Sequence, residues 1–166
     1  MNDTKPINTS GTSTCQNIVA NLETDPRMAK LLKSMSNRPR IDCRSCGTEG
    51  IEGNARAYLT ANEIILCQNR LHGKDIISEA LAHELIHAYD FDQKRTDFST
   101  CEGLAYSEVR AAREGECNAK FPLQWLRDNC IYHHAGRSTA NLYPSNGYQC
   151  VKKIFTEAMD DKSPFS

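Results

Sequence analysis

A stretch from residue 75 to residue 91 constrains the fold most strongly, because it is apolar on nearly every side when drawn as a helix. Its apolar positions surround the helix axis rather than forming one stripe; they are Ile76, Ile77, Ala80, Leu81, Leu85, Ile86 and Ala88. A helix that lacks a broad polar face is buried. Asp75 is a residue type that caps helix N-termini. We therefore expect a buried helix that Asp75 caps and that ends near Phe91.

The same helix carries the run His83-Glu84-Leu85-Ile86-His87. Residues four apart on a helix share a face, one turn apart, so the two imidazoles can meet one metal ion. Glu84 falls beside that face, where its carboxylate can reach a water on a zinc ion without becoming a ligand. The spacing predicts a catalytic zinc site with His83 and His87 as ligands and Glu84 as general base.

This motif can also arise by chance, roughly once in a hundred random chains of this length and composition. The plainer interpretation is two partly buried histidines without a metal. Burial on such an apolar helix argues against it, since imidazoles and a carboxylate without partners would cost several kcal/mol. We therefore favour the metal site.

A catalytic zinc ion needs a third protein ligand and an open position. Glu108 is the first candidate, because its neighbours three and four residues away are small or apolar; they are Leu104, Ala105, Ala111 and Ala112. A lone carboxylate on such a face is tolerated only if its charge is paired or bound to metal. Asp90 is the alternative, since it continues the histidine face, and it could instead accept a hydrogen bond from a ligand imidazole. The other histidines lie near predicted segment ends and are weaker candidates; they are His72, His133 and His134.

The eight cysteines are numerous for a chain of this length and even in number. They can pair as disulfides in an oxidising compartment, or some can hold a structural metal. Cys43 and Cys46 have the C-x-x-C spacing of half a zinc site, but a second such pair is missing. We therefore favour disulfides over a structural zinc.

The chain length and a hydrophobic content of 39% suit one domain. We expect a polar, disordered tail over residues 1–14 and a single zinc metallopeptidase domain over residues 15–166. Helices are predicted near Cys15, after Asp25-Pro26, where Asp25 can cap the helix and Pro26 can occupy its first turn, and over residues 102–116, 122–134 and 147–159. Residues 55–60 and 63–67 are rich in β-formers and predict a hairpin. The order of elements indicates an α+β fold that is mainly helical.

Composition excludes several classes of function. The 20 basic and 21 acidic residues nearly cancel, which argues against nucleic acid as a partner. The longest apolar runs are far below the roughly 20 residues needed to cross a membrane, so any membrane contact should be peripheral. The first fourteen residues resemble neither a secretory signal nor an Arg-rich presequence.

The predicted hairpin suggests how a substrate could be held. An extended peptide can add a strand to an open sheet edge, and residues 55–67 could supply that edge. The hairpin could equally serve only to cover the central helix. Tyr89 and Tyr106 could stabilise an oxyanion, although core packing is the commoner role of tyrosines beside a buried helix.

Three segments resemble a known family: ILCQN at residues 65–69, HELIHAYD at 83–90 and SEVRAA at 107–112. The chain is similar to the mitochondrial inner-membrane metalloproteases that assist ATP synthase assembly, some of which are labelled Ku-binding proteins. The resemblance extends from about Cys15 to Phe165 and includes Cys43, Cys46 and Pro164.

The resemblance implies a zincin-like metalloendopeptidase of the intermembrane space, peripheral on the inner membrane and held by disulfides. It further implies processing of a proton-channel subunit of ATP synthase, help with its assembly, and turnover of lipid-transfer proteins. His83, Glu84 and His87 carry over as ligand, base and ligand. Asp92 and Tyr106 stand where cysteines are usual, which puts the family's full disulfide set in doubt.

Two other functions stay open at this point. The chain could act as an assembly chaperone without proteolysis, or, as the Ku label suggests, as a nuclear binding protein associated with DNA repair. The near-neutral charge argues against direct contact with DNA.

Overall fold

Six α-helices, a short 3₁₀ helix (Gly50–Glu52) and a three-stranded sheet are present in the described part of the chain, residues 10–118 and 121–166 of the computed structural model, with side chains from residue 14 onward. In chain order the α-helices and strands are α1 (Ser10–Glu23), α2 (Pro26–Lys33), β1 (Arg40–Arg44), β2 (Ala57–Leu59), β3 (Glu63–Cys67), α3 (Lys74–Asp92), α4 (Cys101–Glu114), α5 (Gln124–Leu142) and α6 (Gly147–Asp160). This order confirms the expected mixture of helix and sheet with a mainly helical second half.

The sheet has β3 in its middle, with β1 parallel to it on one side and β2 antiparallel on the other. The predicted hairpin is confirmed, since Ala57 pairs with Leu66 and Leu59 with Ile64. The strand β1 was not expected. Its five residues, Arg-Ile-Asp-Cys-Arg, are largely polar, and its parallel pairing with β3 is not a local contact.

Of the two helix N-caps that were predicted, one is confirmed and one is wrong. Asp25 caps α2 as predicted, accepting hydrogen bonds from the backbone amides of Arg27 at 3.0 Å and Met28 at 3.2 Å. The expectation that Asp75 caps α3 is wrong, because the cap is Gly73, whose φ of +97° favours glycine. Asp75 lies in the first turn instead, where its charge faces the positive end of the helix dipole.

Helix α5 continues to Leu142, so the expected end at His134 is wrong. The continuation is driven by packing: Ile131, Ala135 and Thr139 are buried at four-residue spacing and form one face of the helix. The predicted helices over residues 102–116 and 147–159 agree closely with α4 and α6.

All eight cysteines pair, which confirms the expected disulfides. The bridges are Cys15–Cys43, Cys46–Cys67, Cys101–Cys150 and Cys117–Cys130. Cys43 and Cys46 therefore bond to different partners, and their C-x-x-C spacing does not mark a metal site.

Two large apolar clusters and one small cluster form the core, and the small one consists of Cys46, Tyr58, Ile65 and Cys67. The N-terminal cluster joins α1, α2, one face of the sheet and α3, and includes Leu31, Ile64, Leu81, Leu85 and Ile86. The C-terminal cluster joins α4, α5 and α6, and includes Ala105, Val109, Ile131, Val151 and Ala158. Helices α3 and α4 therefore face each other between the two large clusters.

Helix α1 begins at Ser10, so the backbone of residues 10–14 is helical and the helix starts before the expected Cys15. The rest of the expected tail, residues 1–9, lies outside the described residues. Its division from a single domain over residues 15–166 stays a prediction. No helix among the described residues is long and apolar enough to cross a membrane.

Candidate metal centre

Helix α3 holds the two predicted histidine ligands next to each other. The Nε2 atoms of His83 and His87 are 3.0 Å apart, and the ring centroids are 4.7 Å apart. Both side chains are mostly buried, with exposed fractions of 13% and 12%. Glu84, the predicted base, is buried and lines the same cleft as the two imidazoles. The expected geometry of the motif is therefore present.

Helix α4 brings Glu108 to the same point. Its carboxylate oxygens lie 3.4 Å from His83 Nε2 and 3.6 Å from His87 Nε2. One ligand atom from each of the three residues falls within 4.8 Å of the others, as expected for groups around a single ion. The Oε2 atom of Glu108 is buried and makes no hydrogen bond within the described structure.

The outer nitrogens of the two imidazoles have different partners. His83 Nδ1 lies 2.9 Å from Oε2 of Glu116, and His87 Nδ1 lies 2.8 Å from Oγ of Ser107. Acceptors at these positions orient a histidine so that its other nitrogen is free for a metal. Neither Glu116 nor Ser107 was predicted from the sequence.

Gly115 allows Glu116 to reach His83. A Cβ atom at Gly115 would lie 2.8 Å from the carbonyl oxygen of Glu79 and 3.1 Å from His83 Cβ, so only glycine fits at this distance from α3. Glu116 also pairs with Arg56 at 3.4 Å. A glycine flanked by two glutamates at a predicted helix end was the one available signal for this residue.

Asp90, the alternative ligand, is absent from the group of converging atoms. It is fully buried, and Arg110 and Ser107 occupy its carboxylate: Arg110 Nη2 is 3.0 Å from Oδ1, and Ser107 Oγ donates to Oδ2 at 2.9 Å. Asp90 is therefore linked to His87 indirectly, through Ser107.

The remaining histidines do not join the converging group. His72 and His133 are exposed, as expected. His134 lines the cleft and lies close to Cys117 and Cys130, but both of those sulfurs are in a disulfide bond.

Two effects compete in setting the pKa values at this site: burial favours the neutral form of each group, and neighbouring opposite charges favour the charged form. Burial raises the pKa of Glu84 to about 7, where a carboxylate can accept and release a proton near neutral pH. Burial also lowers the pKa of His87 to about 4. For His83, the charges of Glu116 and Glu108 outweigh burial and raise its pKa well above the ordinary value. Despite its burial, Glu116 has its pKa lowered to about 2 by the charge of His83.

The candidate ligand group of His83, His87 and Glu108 opens into a cleft of about 880 Å³. Strand β2 forms one wall, and α5 contributes Arg137, Ser138 and Asn141 to another. A second cleft of about 680 Å³ shares Leu59 and Phe98 with the first. The tyrosines considered for oxyanion binding do not line either cleft: Tyr89 is in the N-terminal cluster, and the hydroxyl of Tyr106 contacts Asp161.

Comparison with known proteins assigns the chain to a family. A profile of the peptidase M76 family matches residues 12–166, which contain every element from α3 to α6. The chain belongs to the peptidase M76 family. This membership makes it a peptidase and confirms the resemblance found in its three short segments.

Several curated relatives carry similar names. The human "mitochondrial inner membrane protease ATP23 homolog" is 30% identical over 173 residues, covering 91% of this chain and 68% of the relative. The Xenopus laevis protein of the same name is 30% identical over 160 residues, covering 87% and 68%. The Schizosaccharomyces pombe "mitochondrial inner membrane protease atp23" is 35% identical over 138 residues, covering 75% and 72%. No solved structure matches the chain.

Proposed function

We propose that this M76 peptidase is a zinc-dependent, zincin-like metalloendopeptidase, with His83, His87 and Glu108 as metal ligands and Glu84 as general base. One observation carries the proposal: two imidazole Nε2 atoms and a buried carboxylate oxygen of Glu108 that makes no hydrogen bond converge in the cleft of a peptidase. Two histidines and one glutamate are a known ligand set for catalytic zinc.

The partners of the outer nitrogens fit a cation at the centre. Glu116 lies 2.9 Å from Nδ1 of His83 and Ser107 lies 2.8 Å from Nδ1 of His87, so each neutral imidazole that donates from Nδ1 presents an Nε2 lone pair to the centre. Two lone pairs 3.0 Å apart repel each other unless a proton or a metal ion lies between them. Glu108 adds a negative charge at the same place, which favours a divalent cation.

Zinc at this position would lower the pKa of a bound water to about 7 and polarise the scissile carbonyl. The residues of the chain supply the remaining chemistry. Glu84, with its pKa near neutrality, takes a proton from the attacking water and gives it to the leaving amine. The cleft walls hold the peptide over the ligands.

Strand β2 supports a mode of substrate binding. It is an outer strand of the described sheet, and its three residues line the cleft beside the metal ligands. An extended peptide can form backbone hydrogen bonds with such an edge, so we infer that the substrate adds as a strand beside Ala57–Leu59. This is one of the two roles considered for the hairpin, the other being to cover the central helix.

The cellular role follows from the relatives' names and from the resemblance of sequence motifs. We propose that the chain acts in the mitochondrial intermembrane space, peripherally at the inner membrane. Its substrates there would include a proton-channel subunit of ATP synthase and lipid-transfer proteins, and it would assist assembly of that subunit. Four disulfides suit an oxidising compartment.

Two glutamate variants test the proposal against a matched control. Glu108→Ala should lose both bound zinc and cleavage of an unfolded protein substrate, whereas Glu84→Gln should keep the zinc and lose cleavage by at least about 100-fold. The control is Glu102→Gln, because Glu102 is on the same helix as Glu108 but has 44% of its side chain exposed and is paired with Lys153. It should keep both properties.

Metal analysis and proteolysis assays give distinct outcomes. Unchanged zinc content in Glu108→Ala would exclude Glu108 as the third ligand. Cleavage that persists in Glu84→Gln would exclude it as the base. If Glu84→Gln cleaves nothing but still supports assembly of the ATP synthase subunit, the chaperone role is independent of proteolysis.

A further inference from the structure

The two ligand imidazoles are held by chemically different groups at their outer nitrogens. His83 Nδ1 faces the carboxylate of Glu116, which can only accept a hydrogen bond when ionised. His87 Nδ1 faces the hydroxyl of Ser107, which can donate or accept. The tautomer of His87 therefore depends on where the single proton of Ser107 goes.

Asp90 accepts a hydrogen bond from the Ser107 hydroxyl. Its Oδ2 lies 2.9 Å from Ser107 Oγ, while Arg110 Nε lies 3.1 Å from both carboxylate oxygens and Nη2 lies 3.0 Å from Oδ1. A guanidinium is always charged and has only donors, so it keeps Asp90 as an anion that accepts from Ser107. Ser107 Oγ is left to accept from His87 Nδ1.

The direction of this chain of hydrogen bonds is fixed by its surroundings. Asp90, Ser107 and Arg110 each have an exposed fraction of 0%, so water does not compete for their hydrogen bonds. Arg110 is held on its other side as well, where Nη1 and Nη2 donate to the carbonyl oxygens of Asp161 and Ser163, each at 2.8 Å. Its guanidinium cannot turn away from Asp90 without breaking those bonds.

We propose that Ser107 and Asp90 are positioning residues that keep His87 protonated on Nδ1, with the Nε2 lone pair directed at the metal centre. The inference rests on the proposed metal-binding function and adds two residues that are neither proposed ligands nor the proposed base. Ser107 also lies next to Glu108 in α4, so this helix supplies a ligand and, one residue earlier, the group that orients another ligand.

The tautomer can be measured without metal or activity. In metal-free protein labelled with ¹⁵N-histidine, two-bond ¹H–¹⁵N correlations distinguish a protonated ring nitrogen from one with a lone pair. His87 signals are identified by their loss in His87→Gln. We expect His87 to be protonated on Nδ1 in the wild type and to lose this preference in Ser107→Ala. A wild-type His87 protonated on Nε2 would overturn the proposal, whatever the variant does.

Metal affinity provides the second measurement. Removing an orienting partner typically weakens metal binding about 10- to 100-fold, so Ser107→Ala should raise the zinc Kd by that factor. The matched control is Ser138→Ala, since Ser138 lines the same cleft from α5, and its Kd should stay within about twofold. Equal Kd values for Ser107→Ala and wild type would overturn the inference. A wild type that binds no zinc would instead refute the proposed function, while the tautomer measurement would still report on Ser107.

Asp90→Asn gives an independent variant. An asparagine can donate its amide proton to Ser107, which frees the serine proton to point at His87 and favours protonation on Nε2. The expected result is a reversed His87 tautomer with a weaker zinc Kd. An unchanged tautomer in this variant would show that Asp90 does not direct the serine proton.

Discussion

The molecule has an N-terminal half, made of α1, α2, the sheet and α3, and a C-terminal half, made of α4, α5 and α6. Apolar packing and disulfides stabilise each half internally, whereas the contacts between the halves are largely polar. Each half has its own apolar cluster and two disulfides: Cys15–Cys43 and Cys46–Cys67 in one, Cys101–Cys150 and Cys117–Cys130 in the other. Since all eight cysteines pair in this way, no disulfide joins the halves. Covalent and apolar stabilisation is mainly internal to each half.

Between the halves lies a layer rich in charged and polar contacts. Arg110 and Ser107 of α4 bond to Asp90 of α3, Glu116 contacts His83, and Glu114 contacts Arg27. Apolar contact across the layer is contributed by small residues such as Ala111, which belongs to the N-terminal cluster although α4 carries it. The candidate metal centre sits in this layer.

The comparison explains why the site lies where it does. His83, Glu84 and His87 come from the N-terminal half, and Glu108 comes from the C-terminal half. A metal ion held by all of them would join two separately stabilised bodies. A buried polar network fixes the positions of its side chains, but removing one partner leaves another buried and unpaired and costs much stability. We therefore expect substitutions in this layer to destabilise the fold most.

The largest predicted effect follows from breaking that layer at Arg110. Arg110→Met leaves Asp90 buried without its counter-charge and should lower the free energy of unfolding by about 3 to 5 kcal/mol. The control is Arg40→Met, because Arg40 pairs with Glu63 on the surface with 73% of its side chain exposed. That change should cost at most about 1 kcal/mol in denaturant titrations.

A double variant sharpens the same test. Replacing Arg110 and Asp90 together by Met and Leu removes both charges, so much of the lost stability should return. If Arg110→Met is no worse than Arg40→Met, the polar layer does not hold the halves together and the comparison fails.

The second prediction concerns the disulfides inside the C-terminal half. In the chain-entropy description, a bridge that closes a longer loop restricts the unfolded chain more. Removing Cys101–Cys150, with a separation of 49 residues, should cost about 4 kcal/mol. Removing Cys117–Cys130, with a separation of 13 residues, should cost about 3 kcal/mol.

Paired Cys→Ala variants measured by denaturant unfolding and hydrogen exchange test this prediction. Faster amide exchange should appear first in α4, α5 and α6, and later in the sheet. Equal loss of protection in both halves would show that they unfold as one unit and that the division into halves has no energetic meaning.

The sequence predicted those parts of the site that depend on one helix. His83, Glu84 and His87 follow from helical spacing alone, and Glu108 was recognisable because a lone carboxylate stood on a face of small residues. The hairpin and the cap at Asp25 were also local signals. Each of these needed only neighbours within a few residues.

The parts that could not be predicted depend on how distant segments meet. Glu116 reaches His83 only because Gly115 lets the end of α4 approach α3, and Ser107 contacts His87 only because the two helices cross at that point. The strand β1 pairs directly and in parallel with β3, although β2 lies between them in the sequence. The end of α5 was misplaced although the chain carries a local signal for it: the helix ends at Leu142, and Pro144 disfavours helical backbone in the residue before it.

The smallest predicted effect tests the edge of the polar layer at Asp161. Although burial opposes it, hydrogen bonds from Tyr106, the Ser163 amide and Arg95 hold the pKa of Asp161 well below its usual range. A carboxylate whose pKa is lower in the folded state stabilises the protein above its unfolded pKa of about 4, and this stabilisation is lost as pH falls toward the folded value.

Asp161→Asn should therefore lower the free energy of unfolding by about 1.5 to 3 kcal/mol at pH 7, and the difference from wild type should shrink below about pH 4. The matched control is Asp160→Asn, since the neighbouring Asp160 is exposed and should change stability by less than about 0.5 kcal/mol. Urea titrations at several pH values measure both. A difference that stays constant below about pH 4 would mean that Asp161 stabilises the fold through packing rather than charge. The polar layer would then end at Arg110.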